Sequence, residues 1–302
     1  MENEKRRNSL WSKTFTVVIA CIIVVSLIVS LIVATLGKEF AASERAFFLS
    51  YGASGVGLFA AALFLTKYCK IEVKSFYGKT DYRFYFALPI IAAGCFFGLS
   101  GVNSAFISFL SNFGYVPPTT TMPEPTFLSV TLSVLLICLV PAVLEEFLFR
   151  GLITQGLKKF GKVTALIVSA LLFTFYHMNA AQTPYQLLLG LVFSFVALET
   201  GSVIPTTILH FVNNLVVLIL CYAVPDFAGF NIVSDTLVVV LGLVVLIASL
   251  WYVFKLSKIP SCVIPRSDEL ENNDNRLIDD FLYLAPGLIV ALAVYGASLF
   301  QG

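Results

Sequence analysis

The sequence predicts an all-α, polytopic membrane helix bundle of about nine transmembrane helices, with eight as the alternative count, and three observations carry that expectation. Only 12% of the 302 residues are charged, about half the share usual in soluble domains. Hydrophobic residues make up 58% and the mean hydropathy is +0.91. The apolar runs are also about as long as the 20 residues a helix needs to cross a bilayer. Together these exclude an ordinary soluble enzyme and make the lipid bilayer the first partner. A formal net charge of +1 gives no basic footprint for nucleic acid. Cys21, Cys69, Cys95, Cys138, Cys221 and Cys262 show no CxxC spacing and mostly lie within apolar runs, which argues against a disulfide framework or a zinc knuckle.

In chain order the expected spans are Phe15 to Leu36, Ala46 to Leu65, Phe84 to about Ala105, Phe127 to about Leu157 and Val163 to about Ala181. They continue with Tyr185 to Leu198, Val203 to Val224, Leu237 to Phe254 and Phe281 to Phe300. The first run is too long for a signal-peptide core and lacks a small-x-small cleavage site, so it reads as an anchor. The sixth is the weakest, because it is the shortest. No internal repeat is evident, and residues 1–302 read as one membrane-embedded domain. The stretch 255–280, with two prolines and the polar run from Ser267 to Arg276, reads as a solvated cytoplasmic linker.

Basic residues test the layout independently, since Lys and Arg collect in cytoplasmic loops. With the N-terminus inside, sixteen of the nineteen fall on the cytoplasmic side, among them Lys5, Arg6, Arg7, Lys67, Lys79, Lys158, Lys162, Lys255 and Arg266. Lys38 and Arg45 fall outside, and the segment from Gly101 to Thr126 has no basic residue. Nine spans then place the C-terminus outside.

Ionisable groups within apolar spans are costly and need a partner or a job. They are Glu145, Glu146, Arg150, His177 and His210, and the last two are the only histidines of the chain. Glu146 and Arg150, one helical turn apart, suit a charge pair. Glu145 is rotated about 100° from Glu146 and has no basic residue one turn away, so its polar partner must come from another helix. Counted from the hairpin near Phe160, Glu145 lies 15 residues back and His177 lies 17 residues on, which puts them at nearly one depth on antiparallel neighbours. A carboxylate beside an imidazole is a general-base arrangement wherever water enters. His210 and Asn214, four apart, share a helix face and could hold a developing oxyanion; the packing alternative is interhelical polar glue. Asn213 is expected to point elsewhere. Pro141, one turn before Glu145, is expected to disturb the helix and open room for water.

Glu145-Glu146-Phe-Leu-Phe-Arg150 fits EExxxR, Phe173-Thr-Phe-Tyr-His177 fits FxxxH, and His210-Phe-Val-Asn-Asn214 fits HxxxN. In this order and spacing the three resemble the CAAX protease and bacteriocin-processing family of membrane endopeptidases, over roughly Phe127 to Val224. The resemblance implies a glutamic-type intramembrane endopeptidase with its catalytic core helices in 127–224. It makes Glu145 the base that activates water, His177 its assistant, and His210 and Asn214 the oxyanion site. Glu146 and Arg150 become a supporting pair, with Phe173 as the first residue of the second motif. It further implies no metal and no cofactor, and a cavity reached from the cytoplasmic side. The substrate would be a membrane-associated peptide or protein, such as a bacteriocin or pheromone precursor or a CAAX-like C-terminus. Met178 and Asn179 stand where the eukaryotic branch carries further histidines, which favours the bacterial or archaeal branch and a prokaryotic plasma membrane. Three other readings compete: a zinc site on Glu145, His177 and His210, which lacks HExxH and leaves Asn214 idle; a proton-coupled transporter, which would show inverted repeats; and a non-catalytic immunity or regulatory scaffold.

Overall fold

Turn chemistry cuts the apolar sequence into helices at a few defined points. Gly37, Gly161 and Gly201 adopt φ of 87°, 97° and 69°, backbone that L side chains rarely enter. Ser43 accepts a hydrogen bond from the amide of Ala46, and Thr126 with Ser129 forms a reciprocal cap, so both helices that begin there start with satisfied donors. The computed structural model describes residues 9–117, 121–224, 235–257 and 275–300. Within them run nine principal helices: α1 (Leu10–Leu36), α2 (Glu44–Tyr68), α3 (Arg83–Ser111), α4 (Phe127–Phe160), α5 (Lys162–Tyr176), α6 (Thr183–Thr200), α7 (Ile204–Ala223), α8 (Thr236–Ser257) and α9 (Asn275–Ser298). No strand occurs among the described residues.

The chain is an integral membrane protein with an all-α polytopic bundle. Eight of its helices are long and apolar enough to cross a bilayer, and the exception corrects the sequence reading. The sixth span, expected to be the weak one, extends over Ala180–Thr200 with its leading 3-10 turn, and Pro184 sits in the first turn of α6, where its missing N–H costs nothing. The short member is α5, with 15 residues. At 1.5 Å per residue it spans about 22 Å, less than the roughly 30 Å of a hydrocarbon core. The apolar pattern continues to Ala181, but the helix ends at Tyr176 and Met178 takes a φ of 48°. Most of the expected linker lies outside the described residues; its two edges belong to α8 and α9.

α1 packs against α2 and α9, α3 against α8, α5 against α6, and α7 against α4. The α3–α8 contact is a glycine seam. A Cβ built on Gly94 would lie 2.8 Å from the Leu246 backbone, and one on Gly242 would lie 2.5 Å from the Gly98 amide nitrogen, so the two backbones meet where side chains would keep them apart. At the end of the bundle carrying the α4–α5 hairpin, Lys162 pairs with Glu199, and Lys159 Nζ lies 2.7 Å from Asp280 Oδ2. The second pair ties α9 to the hairpin, and Asp280 is buried rather than a loop residue.

α4 is irregular. Two π-helical stretches, Val134–Leu139 and Glu146–Thr154, flank a short α-helical piece, Val140–Glu145, that contains Pro141. The widened winding re-aims side chains in the middle of the membrane, beside the end of the short α5.

Candidate active site

The step from α-helical to π-helical winding falls between Glu145 and Glu146, and the two carboxylates leave α4 in different directions. Glu146 is fully buried and absent from the lining of the central cavity, whereas Glu145 lines it. Glu146 Oε1 lies 3.0 Å from Arg150 Nη1 and 2.9 Å from His210 Nδ1. The Arg150 guanidinium is also fully buried; its carbon sits 4.1 Å from the Phe173 ring centre and 5.3 Å from that of Phe193. Two aromatic faces and one carboxylate therefore take the place of water around the cation. This is the charge pair expected from the i, i+4 spacing, with an additional duty: Glu146 also holds His210.

Glu145 is held from another helix, as its isolation on α4 requires. The Tyr176 hydroxyl donates to Glu145 Oε1 at 3.0 Å. Its other oxygen, Oε2, has no hydrogen-bond partner among the described residues and lies 3.9 Å from His210 Nε2. The equal depth expected for α4 and α5 is met through Tyr176, the neighbour of His177. The imidazole that approaches the Glu145 carboxylate, however, is that of His210. His177 points its Nδ1 at the Phe173 carbonyl, 2.8 Å away. That oxygen only accepts, so Nδ1 carries the proton and Nε2 keeps a lone pair. Phe173 thus acts twice, with its ring on Arg150 and its carbonyl on His177.

On α7 it is Asn213 that departs from expectation, joining Asn214 in the cavity wall. Both line the cavity, because its wall is broad enough to take two neighbouring side chains about 100° apart. Asn214 Nδ2 donates to the Ile137 carbonyl at 3.1 Å. Ile137 lies four residues before Pro141, which has no N–H, so Asn214 serves a carbonyl deprived of its helical donor. Asn213 donates to Asn214 Oδ1 at 3.3 Å and accepts from the Tyr185 hydroxyl at 2.6 Å. Asn214 is thereby fixed at both ends of its amide, with one Nδ2 hydrogen still uncommitted in this set.

Glu145, His177, His210 and Asn214 all border one cavity of about 680 Å³, within the roughly 300–1,000 Å³ of small-molecule sites. Sequence reasoning missed Tyr176, Asn213 and Tyr185. Tyr176 had a signal, its place beside His177 at the depth of a lone carboxylate. Tyr185 had none, because its partner is on another helix. Among the described residues no group of three His, Cys, Asp or Glu side chains is arranged to hold a metal ion.

Residues 127–216 match the family model of the type II CAAX prenyl endopeptidase Rce1-like proteins. Over this segment the chain is similar to the CAAX protease family. No curated protein and no solved structure matches it. The match contains all three motifs and begins at the first residue of α4, so the CAAX protease segment coincides with the helices that build the cavity floor. The matched model describes membrane proteins that are prenyl endopeptidases. α1 to α3 and α8 to α9 lie outside the matched segment; α1 to α3 nevertheless contribute Ile22, Tyr51 and Asn103 to the cavity.

Proposed function

We propose that the protein is a glutamic-type intramembrane endopeptidase in which Glu145 activates the attacking water. One observation carries the reading: of two adjacent buried carboxylates, Glu146 holds Arg150 and His210 through Oε1 and lies outside the cavity lining, while Glu145 lines the cavity and keeps Oε2 without a hydrogen-bond partner among the described residues. Such an oxygen is free to take a proton from water. The resulting hydroxide attacks the peptide carbonyl, and the new C–O bond places negative charge on the carbonyl oxygen. His210 Nε2–H and the uncommitted hydrogen of Asn214 Nδ2 are the donors available for that charge.

His210 can donate from Nε2 only while Nδ1 is also protonated or the other tautomer is present. Glu146 Oε1 lies 2.9 Å from His210 Nδ1, which fixes the orientation of the ring. Collapse of the tetrahedral intermediate breaks the C–N bond. The leaving amine receives the proton first taken by Glu145, directly or through the lone pair on His177 Nε2. The substrate class is a membrane-associated peptide or protein, with a bacteriocin or pheromone precursor, or a CAAX-like C-terminus, as the candidates to assay.

The test uses purified protein in detergent with a panel of membrane-anchored peptides. Wild-type protein is expected to cleave at least one, and to do so equally well in strong chelator. Glu145→Gln is expected to lower turnover by about 10³-fold or more. Loss of activity in chelator with recovery on added zinc would replace this mechanism with a metal site on Glu145, His177 and His210.

A further inference from the structure

Among the described residues the cavity lining runs toward one end of the bundle. α4 runs from Phe127 to Phe160, and its lining residues, Leu136, Ile137, Pro141 and Glu145, stop near its midpoint on the Phe127 side. α7 contributes from His210 up to Cys221, next to its end at Ala223. α3 lines from Phe96 to Ser104, toward its end at Ser111, and Met122, from the connection between α3 and α4, adds to the same rim. The short α5 leaves the recess, because it stops at Tyr176 and its following turn brings His177 and Met178 into the wall. Exposure follows the same direction. Glu145, Phe193 and His210 at the floor are buried, while Gln182 and Cys221 at the rim are exposed.

The opposite end carries most of the cations, with Lys38 of the α1–α2 connection and Arg45 in the first turn of α2 at the mouth end. Lys67 lies in the last turn of α2; Lys70, Lys74 and Lys79 lie between α2 and α3; Lys158, Lys159 and Lys162 are at the α4–α5 hairpin; and Lys255 lies in the last turn of α8. The connection from α3 to α4, at the mouth, has no basic residue. By the positive-inside rule the cationic end faces the cytoplasm.

Resting on the endopeptidase reading above, we infer that the site is entered from the non-cytoplasmic face, so that its substrate is a polypeptide segment presented on that side of the membrane. This reverses the cytoplasmic access implied by the sequence resemblance. The wall chemistry narrows the substrate further. Among the described residues Glu145 is the only Asp, Glu, Lys or Arg in the lining, and Ser100, Asn103, Gln182 and Gln186 supply hydroxyl and amide groups between apolar side chains. Such a wall fits an uncharged, extended stretch of peptide backbone, with the scissile bond lowered to mid-membrane.

The native Cys221 makes a direct test possible. Intact cells producing the full chain are treated with a membrane-impermeant maleimide, and labelled peptides are located by mass spectrometry. Gln182→Cys gives a second position at the mouth, and Lys79→Cys gives one at the cationic end. The expected result is labelling at Cys221 or at position 182 in intact cells, unchanged by permeabilisation, with position 79 labelled only after permeabilisation. The reverse pattern overturns the inference, as does absence of label at both mouth positions in permeabilised cells. The labelling needs no turnover, whereas the cleavage assay in detergent exposes both faces. An active enzyme with a cytoplasmic mouth therefore refutes the access side alone, and an inactive one with an outer mouth refutes the endopeptidase reading alone.

Discussion

The glycine seam between α3 and α8 and the polar floor between α4, α5 and α7 are both buried in the middle of the bundle, yet they hold helices together by opposite means. Lipid offers helices no hydrophobic drive toward each other, so association depends on close packing or on polar contacts. The seam uses the first. Gly94 and Gly98, on one face of α3, let Leu246 and Gly242 approach to backbone contact, Gly101 on the same face makes room for the Val239 side chain, and no ionisable group is involved. The floor uses the second, with Glu146 bridging Arg150 and His210 and Tyr176 reaching Glu145. A seam of glycines does nothing but pack. A floor of charges costs free energy to bury, and Glu145 Oε2, without a hydrogen-bond partner among the described residues and on a residue that lines the cavity, is the part that packing does not explain. The difference teaches that in this protein function should be sought where polar groups exceed what stability requires.

That contrast can be broken most forcefully at the seam. Gly242→Leu is expected to cost more than about 3 kcal/mol, seen as loss of folded protein in detergent by thermal melting or size-exclusion chromatography. The site residues are untouched by this change, so whatever folded fraction survives should keep its normal specific activity. A stable Gly242→Leu protein would show that α3 and α8 are not in backbone contact. The effect at Asn214 is smaller and mixed. Asn214→Ala removes a donor to the Ile137 carbonyl and one to the proposed oxyanion, so turnover is expected to fall by about 10²-fold and stability by about 1 kcal/mol. A fall in stability with full turnover would make Asn214 part of the packing and leave His210 as the only oxyanion donor.

How much of this was legible depends on which residues carried it. The spans could be read because apolar runs of bilayer length are rare elsewhere, and Lys79, Lys158 and Lys162 gave an independent check on their order. The candidate site stood out because Glu145, His177 and His210 are residue types that lipid excludes unless something retains them, and the three border one cavity. Within one helix the periodicity sufficed, as the Glu146–Arg150 pair shows. Contacts between helices did not follow. That Glu146 holds His210, that Asn214 serves the carbonyl beneath Pro141, and that Gly242 faces Gly98 depend on which helices are neighbours, and a single sequence does not encode that in any local pattern. The early end of α5 was hidden for a different reason: the residues after Tyr176 remain apolar or small enough to continue a helix, and only the positive φ at Met178 shows the break.

The division of labour between Glu145 and Glu146 is the centre of the account, and one paired measurement addresses it. Glu145→Gln and Glu146→Gln are purified side by side, and turnover of a common peptide and thermal stability are recorded for each. Glu145→Gln should melt close to wild type and be inactive, because only the base is lost. Glu146→Gln should be destabilised by about 3–5 kcal/mol, since Arg150 is left buried without its counter-charge. A fully active Glu145→Gln, or a stable Glu146→Gln with no activity, would contradict the assignment and exchange the roles of the two carboxylates.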